Sequence, residues 1–390
     1  MRGGGRMGGP PLGFGGFMSQ DMMMGPGMGF PGMYGYGGVM IPPRRTLEDK
    51  LVLEKHQSIC PDEIDLENIF AVVDRVERSL KNISDKFLKE ADTSSTDREV
   101  TGVARVGDFA KSLVLKGERK VELVVLCAQR PGKALLLTLT SALTSELSDT
   151  KPEEEDEEKR GQDQFQVSTD EAASGLTVTS PSCSVSITLT SPVLRSDPGQ
   201  EESDGPDWLS YTAGLTGLAE LRRAKWFSAM ATPLPSCVET IRVMKDKASR
   251  DAVWAGLGDW PLQLLVERAL FSAGFALSPS KSVLRVLEVL ASGLILPGGP
   301  GLQDPCERDE VDVFGHLSPQ QREDLTRAAQ TEVRHIHYRK IHITLGMEDR
   351  AAKQSNQDKQ NSEDKQTMED KQDKQEKDDR VLSQQLQPLA

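Results

Sequence analysis

Residues 100–127 read VTGVARVGDFAKSLVLKGERKVELVVLC, and this stretch decides the fold. Its first seven residues are rich in β-branched side chains, which is typical of a short strand, and Gly107 follows them directly. Residues 121–127 (VELVVLC) form a nearly continuous apolar run, which predicts a strand buried on both faces of a sheet. The stretch therefore predicts two strands with a turn at Gly107 between them.

Helical and strand patterns lie on both sides of this stretch. Upstream, apolar residues alternate spacings of three and four from Leu66 to Phe87, which predicts a helix with one apolar stripe. Downstream, residues 134–147 predict a second helix. Residues 176–180 and 184–189 alternate polar and apolar side chains, which indicates a hairpin.

The character of the chain changes to helical after Pro206. The predicted helices are 207–230, 236–248, 261–273, 280–295 and 319–343. In the fourth of them, Val283, Leu287, Leu290 and Leu294 mark a buried face. A helix, then a small sheet, then a helical bundle indicates an α+β fold with two lobes, a sheet lobe (46–205) and a helical lobe (206–348).

The turn and second strand match part of a nucleotidyltransferase site. In that layout a small residue stands at a turn, and two acids stand two positions apart on the next strand. With a third acid from a neighbouring strand, they hold two Mg²⁺ ions. Here Lys120 stands where the first acid is expected, Glu122 remains, and Asp108 beside Gly107 would repel a phosphate. The neighbouring strand, residues 185–189, has no carboxylate.

This broken pattern predicts a degenerate nucleotide site at Gly107, Asp108, Lys120 and Glu122, with no catalytic residue, metal or cofactor. Two alternatives stay open. Nucleotide is bound without turnover, with Lys120 on a phosphate, or Glu122 is an ordinary acid paired with a lysine. A metal-dependent nucleotidyltransferase is the enzyme hypothesis, and the missing acids count against it.

Composition and charge exclude several function classes. The chain has 390 residues, a net charge of −13 and five cysteines more than 45 residues apart, which excludes a CxxC zinc finger. The acidic balance argues against nonspecific nucleic-acid binding by the whole molecule. His335, His337 and His342 lack metal-ligand spacing, because side chains two apart on a helix point to different sides. No apolar run is long enough for a membrane helix, so we expect no membrane partner.

Three segments have compositions that do not build a core. Residues 1–45 are a Gly/Met-rich arm, residues 149–163 an acidic loop, and residues 349–390 a charged tail with repeated Asp-Lys-Gln. We expect the arm and tail to be disordered. Aromatic residues and arginines in the arm leave direct RNA binding through it as an alternative function.

Several blocks, in order, resemble the DZF domain (domain associated with zinc fingers). The likeness runs from Leu47 to Gly346. The blocks are Lys55-His56 with Pro61, Arg105-Val106-Gly107, Arg223-Ala224-Lys225-Trp226-Phe227, Ser236-Cys237-Val238, Trp260-Pro261-Leu262, Leu284-Arg285-Val286-Leu287-Glu288, Gly301–Glu307 and Gln320–Leu325. The chain is thereby similar to the group of zinc-finger RNA-binding proteins and interleukin enhancer-binding factors, but it shows neither zinc fingers nor double-stranded-RNA-binding modules.

The resemblance implies a nucleotidyltransferase-like fold that has lost catalysis. It also implies a heterodimer with another DZF protein through the helical lobe, and a place in nuclear complexes of transcription and RNA processing. The resemblance further implies RNA as a partner, mainly double-stranded RNA, bound chiefly by the other DZF protein. It also leaves DNA as a further partner and the cytoplasm as a second location. We expect the contact at the helices 280–295 and 319–343 and at the segment that joins them. The expected interface residues are Leu287, Leu290, Leu294, Gly301, Asp304, Pro305, Cys306, Glu307, Gln321 and Leu325. The alternative is that these residues pack within their own lobe.

Overall fold

The computed structural model describes residues 45–90, 99–149, 165–170, 174–196 and 207–348. The predicted arm, acidic loop and tail lie outside these ranges, apart from residues 45 and 149 at their borders. No helix within the described ranges is long and apolar enough to cross a membrane.

A mixed sheet forms the centre of the first lobe. Its described strands are β1 (Val100–Val106), β2 (Lys120–Cys127), β3 (Gln166–Asp170), β4 (Gly175–Thr179) and β5 (Ser184–Thr190). They are arranged in the order β1-β2-β5-β4-β3. β2 runs parallel to β5, and the other neighbours are antiparallel. A parallel pair needs a crossover, and the chain between β2 and β5 supplies it.

Helices complete both lobes. They are α1 (Leu47–Ile59), α2 (Glu63–Glu90), α3 (Gly107–Ala110), α4 (Lys133–Asp149), α5 (Val193–Ser196), α6 (Tyr211–Met230), α7 (Cys237–Arg250), α8 (Ala252–Ala255), α9 (Asp259–Phe271), α10 (Pro279–Ala291), α11 (Pro319–His337) and α12 (Ile341–Leu345). The predicted α+β fold is confirmed.

The predicted stripe of α2 is the side that packs on the sheet. Val73, Val76, Leu80 and Ile83 are at most 2% exposed and share one core with α4 and the inward face of β2. Burying each large apolar side chain stabilises the fold by about 1.5–3 kcal/mol. β2 is buried as its apolar run predicts, since Val121, Leu123, Val124 and Val125 are all 1% exposed or less.

The first helix was not predicted, and it joins the helical lobe. Thr46 and Asp49 form a capping box that starts α1. Val52 and Ile59 of α1 belong to the core of the helical lobe, although they lie in the range expected for the sheet lobe. The carboxylate of Asp49 also accepts hydrogen bonds from the backbone N–H and the hydroxyl of Ser280 at the start of α10.

The prediction of one helix over 319–343 is wrong at one place. α11 ends at His337, the backbone of Arg339 has a φ of 60°, and α12 begins at Ile341. A left-handed residue cannot continue a right-handed helix. The N–H of Lys340 donates instead to the carbonyl of His335, which closes the turn.

Candidate functional site

A cleft of about 390 Å³ lies where the sheet faces the helical lobe. Strand β2 and helix α3 line one side, and α6, α7 and α9 supply side chains from the other. The structure brings together all the residues of the predicted degenerate site, and adds others. The charged and polar side chains around it are Asp108, Lys111, Glu118, Arg119, Lys120, Glu122, Glu220, Lys245, Asp259 and Gln263.

Gly107 is required by the geometry of the turn between β1 and α3. Its φ is +66°, and a Cβ atom at this position would lie 2.3 Å from Oε2 of Glu122. The left-handed backbone and the close carboxylate each favour glycine. The turn thus brings the start of α3 against the polar face of β2.

Lys120 and Glu122 lie on the same face of β2 and bind each other. Their Nζ and Oε1 atoms are 2.7 Å apart. Across the parallel register Glu122 is aligned with Ser186, and Lys120 with Ser184. Side chains aligned in register share a face, so β5 offers hydroxyls where a third acid would stand. In the described part of the chain, no group of three or more histidine, cysteine or acidic side chains is placed to hold a metal ion.

Asp108 is neutralised by a lysine from the opposite lobe. Nζ of Lys245 on α7 lies 2.5 Å from Oδ2 of Asp108 and 2.7 Å from Oε2 of Glu118. Gln263 of α9 donates to the other Asp108 oxygen. Burial opposes the charged form, but the two carboxylates outweigh it and raise the pKa of Lys245. The expected repulsion of phosphate by Asp108 is therefore reduced by this lysine.

Lys245 is not among the site residues expected from the sequence. The signal for it is its position four residues after the buried Ile241, which places it beside the apolar face of α7. A lysine at such a place indicates a buried carboxylate partner. Nothing in the sequence identifies Asp108 as that partner, because the two residues are 137 positions apart.

A second lysine is buried deeper in the cleft. Nζ of Lys111 lies 3.8 Å from a carboxylate oxygen of Glu220 and 5.2 Å from the ring centre of Trp260. Burial lowers the pKa of Lys111. Burial, with a contribution from Asp108, raises the pKa of Asp259 at the same place. The cleft is thus lined by opposite charges, many of which bind one another.

Most residues of the expected interface lie within their own lobe. Leu287, Leu290 and Leu325 are at most 1% exposed because they pack into the core of their own lobe, so they present no surface to a partner. Leu294 lies beyond the end of α10 and is half-buried against the same core.

The expected Gly301–Glu307 contact segment is held by its own lobe. Asp304 accepts a hydrogen bond from the indole of Trp260, and Arg222 binds both the Cys306 carbonyl and Glu307. Within the segment Asp304 and Cys306 are buried, Gly301 and Glu307 are half-buried, and Pro305 is exposed. Gln321 is exposed, but its side chain caps α11. Only small parts of the expected interface therefore face solvent.

Solved structures share this fold at low identity. Two of them are structures of Cid1, one of the poly(U) polymerase with Mg and 3′-dATP bound, and one concerned with its RNA terminal uridylyl transferase activity. In each case the identity is 12%, and the match covers 77% of this chain and 98% of the Cid1 chain, with TM-scores of 0.50 and 0.51. A structure of CdnC from E. coli MS115-1 with ATP is 14% identical over 74% of this chain and 91% of that chain, with a TM-score of 0.48.

The likeness to the two Cid1 structures shows a nucleotidyltransferase-like fold. Two family models also match the sequence. The model of the DZF N-terminal domain covers residues 43–232, and that of the DZF C-terminal domain covers residues 236–365. The chain therefore belongs to the DZF family.

Proposed function

We propose that this chain is a non-catalytic subunit that pairs with another DZF protein in nuclear RNA-binding or transcription-regulating complexes. The observation that carries the first part is the contact between Lys120 and Glu122. Two-metal catalysis needs several carboxylates converging on the two ions. Here an ammonium occupies the place of one acid, and Ser186 occupies the place of another.

The ion pairs of the cleft support the same proposal. A Mg²⁺ ion would have to displace Lys120 from Glu122 and would find no second carboxylate on that strand. Lys245 already forms ion pairs with Asp108 and Glu118. The ion pairs of the cleft join the two lobes. Its lysines bind four of its acids, which are Asp108, Glu118, Glu122 and Glu220.

The pairing part of the proposal rests on family membership and needs an exposed apolar surface. Phe271 at the end of α9 is 57% exposed, and Phe275 just after it is 71% exposed. Gly274, with a φ of +72°, turns the chain between them. Two exposed aromatic side chains four residues apart in the sequence favour a protein contact. We place the pairing surface there, instead of at the buried leucines.

Affinity purification of the tagged full chain tests the pairing. We expect a second DZF protein to co-purify and to remain bound after RNase treatment. The F271D/F275D double variant should lose this partner. The matched control is I64D/L137D, which puts two aspartates on exposed apolar positions of the sheet lobe and should keep it.

A stable monomer that captures no DZF protein would contradict the pairing. Release of the partner by RNase would also contradict it, because the two proteins would then be joined by RNA. Equal pairing by both double variants would refute the Phe271–Phe275 surface.

A further inference from the structure

The corner between α11 and α12 carries a cluster of exposed basic residues with an aromatic residue among them. We name this cluster the basic corner and define it as Arg334, His337, Tyr338, Arg339 and Lys340. All five side chains are exposed, and Tyr338 is exposed to 77%. The corner stands out in a chain whose net charge is −13.

The cations of the basic corner are not used within the described structure. Arg334, Arg339 and Lys340 form no ion pair with any described residue, whereas lysines such as Lys245 and Lys247 are bound to carboxylates. The nearby acid Glu332 is already occupied, because it binds Lys247 and accepts a hydrogen bond from Thr344. The positive charge of the corner is therefore available to an external anion.

The backbone of Arg339 gives a second, independent indication. Its φ is +60°, a conformation that is unfavourable for a residue with a side chain and that usually selects glycine after a helix. The chain follows that rule at the end of the next helix, where Gly346 with a φ of +64° ends α12. An arginine kept in a strained position suggests that its guanidinium has a function.

Stabilisation of the helix end does not explain the whole corner. Cations near the C-terminus of a helix interact favourably with its dipole, which accounts for Arg334. It accounts neither for the strained backbone of Arg339 nor for the exposure of Tyr338. A phosphate chain with unstacked bases would use both, since cations bind the backbone and a tyrosine ring stacks on a base.

From these observations we infer that the basic corner binds the backbone and bases of a single-stranded nucleic acid. Arg339 and Lys340 contact phosphates, and Tyr338 stacks on a base. An acidic molecule repels such a polymer over most of its surface, so the contact is short and sensitive to salt. This surface is separate from the proposed pairing surface at Phe271 and Phe275.

The inference is tested by fluorescence anisotropy of a labelled single-stranded RNA of about 20 nucleotides with the full chain. We expect the R339E/K340E variant to lose roughly tenfold or more in affinity at low salt and to show a smaller salt dependence. Y338A should lose affinity and Y338F should keep it. The matched control is K225E/R308E, which makes the same charge change at exposed positions away from the corner.

Arg339→Gly separates function from stability. It relieves the left-handed strain, so we expect a higher Tm together with weaker RNA binding. Three results would overturn the inference. They are no RNA binding by the wild-type chain, equal losses in R339E/K340E and K225E/R308E, and displacement of the RNA by a peptide of residues 149–163 at equal concentration. The last result would identify an acidic protein segment as the occupant.

Discussion

The ammonium of Lys245 lies 2.5 Å from the carboxylate of Asp108 and joins the helical lobe to the turn that follows β1. In an active two-metal site, bound metal ions supply the positive charge that holds acidic side chains together. In this chain a side chain of the protein provides the positive charge. The same lysine binds Glu118, so one cation pairs with two acids across the cleft.

Lys245→Met should destabilise the protein. The substitution leaves Asp108, Glu118 and Asp259 facing one another without their shared cation. We expect a loss of about 1–3 kcal/mol in the free energy of unfolding, because the two bound acids are partly exposed. Urea unfolding measures it, with Lys225→Met at an exposed position as the control. Equal stability of the two variants would show that the contact contributes nothing to the fold.

Gly107→Ala should destabilise the turn between β1 and α3. The positive φ costs about 1–2 kcal/mol for alanine, and the added methyl group also collides with Glu122. Gly102→Ala is the matched control, because nothing lies within 4 Å of a Cβ there. The double variant G107A/E122A removes the collision but not the strained backbone, so thermal unfolding should show partial recovery. Full recovery would contradict the role given to the backbone.

The buried pair of Glu332 and Lys247 should make stability depend on pH. Burial opposes ionisation of Glu332. Hydrogen bonds from Lys247 and Thr344, together with the charge of Lys247, outweigh this effect and lower the pKa of Glu332 below its usual 4.5. A lowered pKa in the folded state gives stability that is present at neutral pH and is lost as the pH falls below about 4.5.

The difference in unfolding free energy between the wild-type chain and Glu332→Gln should therefore be largest near pH 7 and shrink on acidification. Chemical unfolding at a series of pH values measures it. A difference that stays constant down to pH values well below 4.5 would show that the charge of Glu332 is not what stabilises the contact.

Restoring acids on β2 and β5 should create a metal site in the cleft. In K120D/S186D, two new carboxylates share a face with Glu122. Residues 120 and 122 are two apart on β2 and so point to the same side, and Ser186 is aligned with Glu122 on β5. We expect Mn²⁺ affinity, measured by calorimetry, to appear in this variant and to be absent from K120N/S186N. Equal Mn²⁺ binding by the wild-type chain would contradict our description of the cleft.

Much of the fold follows from the sequence because the apolar patterns are strong. The stripe of α2 and the apolar run of β2 each specify which face is buried, and both predictions are confirmed. β3 was not predicted, since four of its five side chains are exposed and its sequence QVSTD carries little apolar pattern. α1 was missed because its start depends on the capping side chains Thr46 and Asp49 rather than on hydrophobicity.

The cleft was predictable only in part. Gly107, Asp108, Lys120 and Glu122 are near one another in sequence, so a turn and a strand suffice to group them. Lys245 and Gln263 reach the cleft from α7 and α9, and only the packing of the two lobes brings them there. The expected interface rested on a pattern that has two interpretations. A helical stripe such as Leu287 and Leu290 looks the same whether it packs inside a lobe or against a partner, and here it packs inside.

Incorporation of labelled nucleotide is the most direct test of the central claim that the cleft cannot support two-metal catalysis. The purified full chain, alone and with its co-purified DZF partner, is incubated with Mg²⁺, a radiolabelled ribonucleoside triphosphate and an RNA primer. We expect no incorporation above that of Glu122→Ala prepared in the same way. Mg²⁺-dependent incorporation by the chain that Glu122→Ala abolishes would contradict the claim.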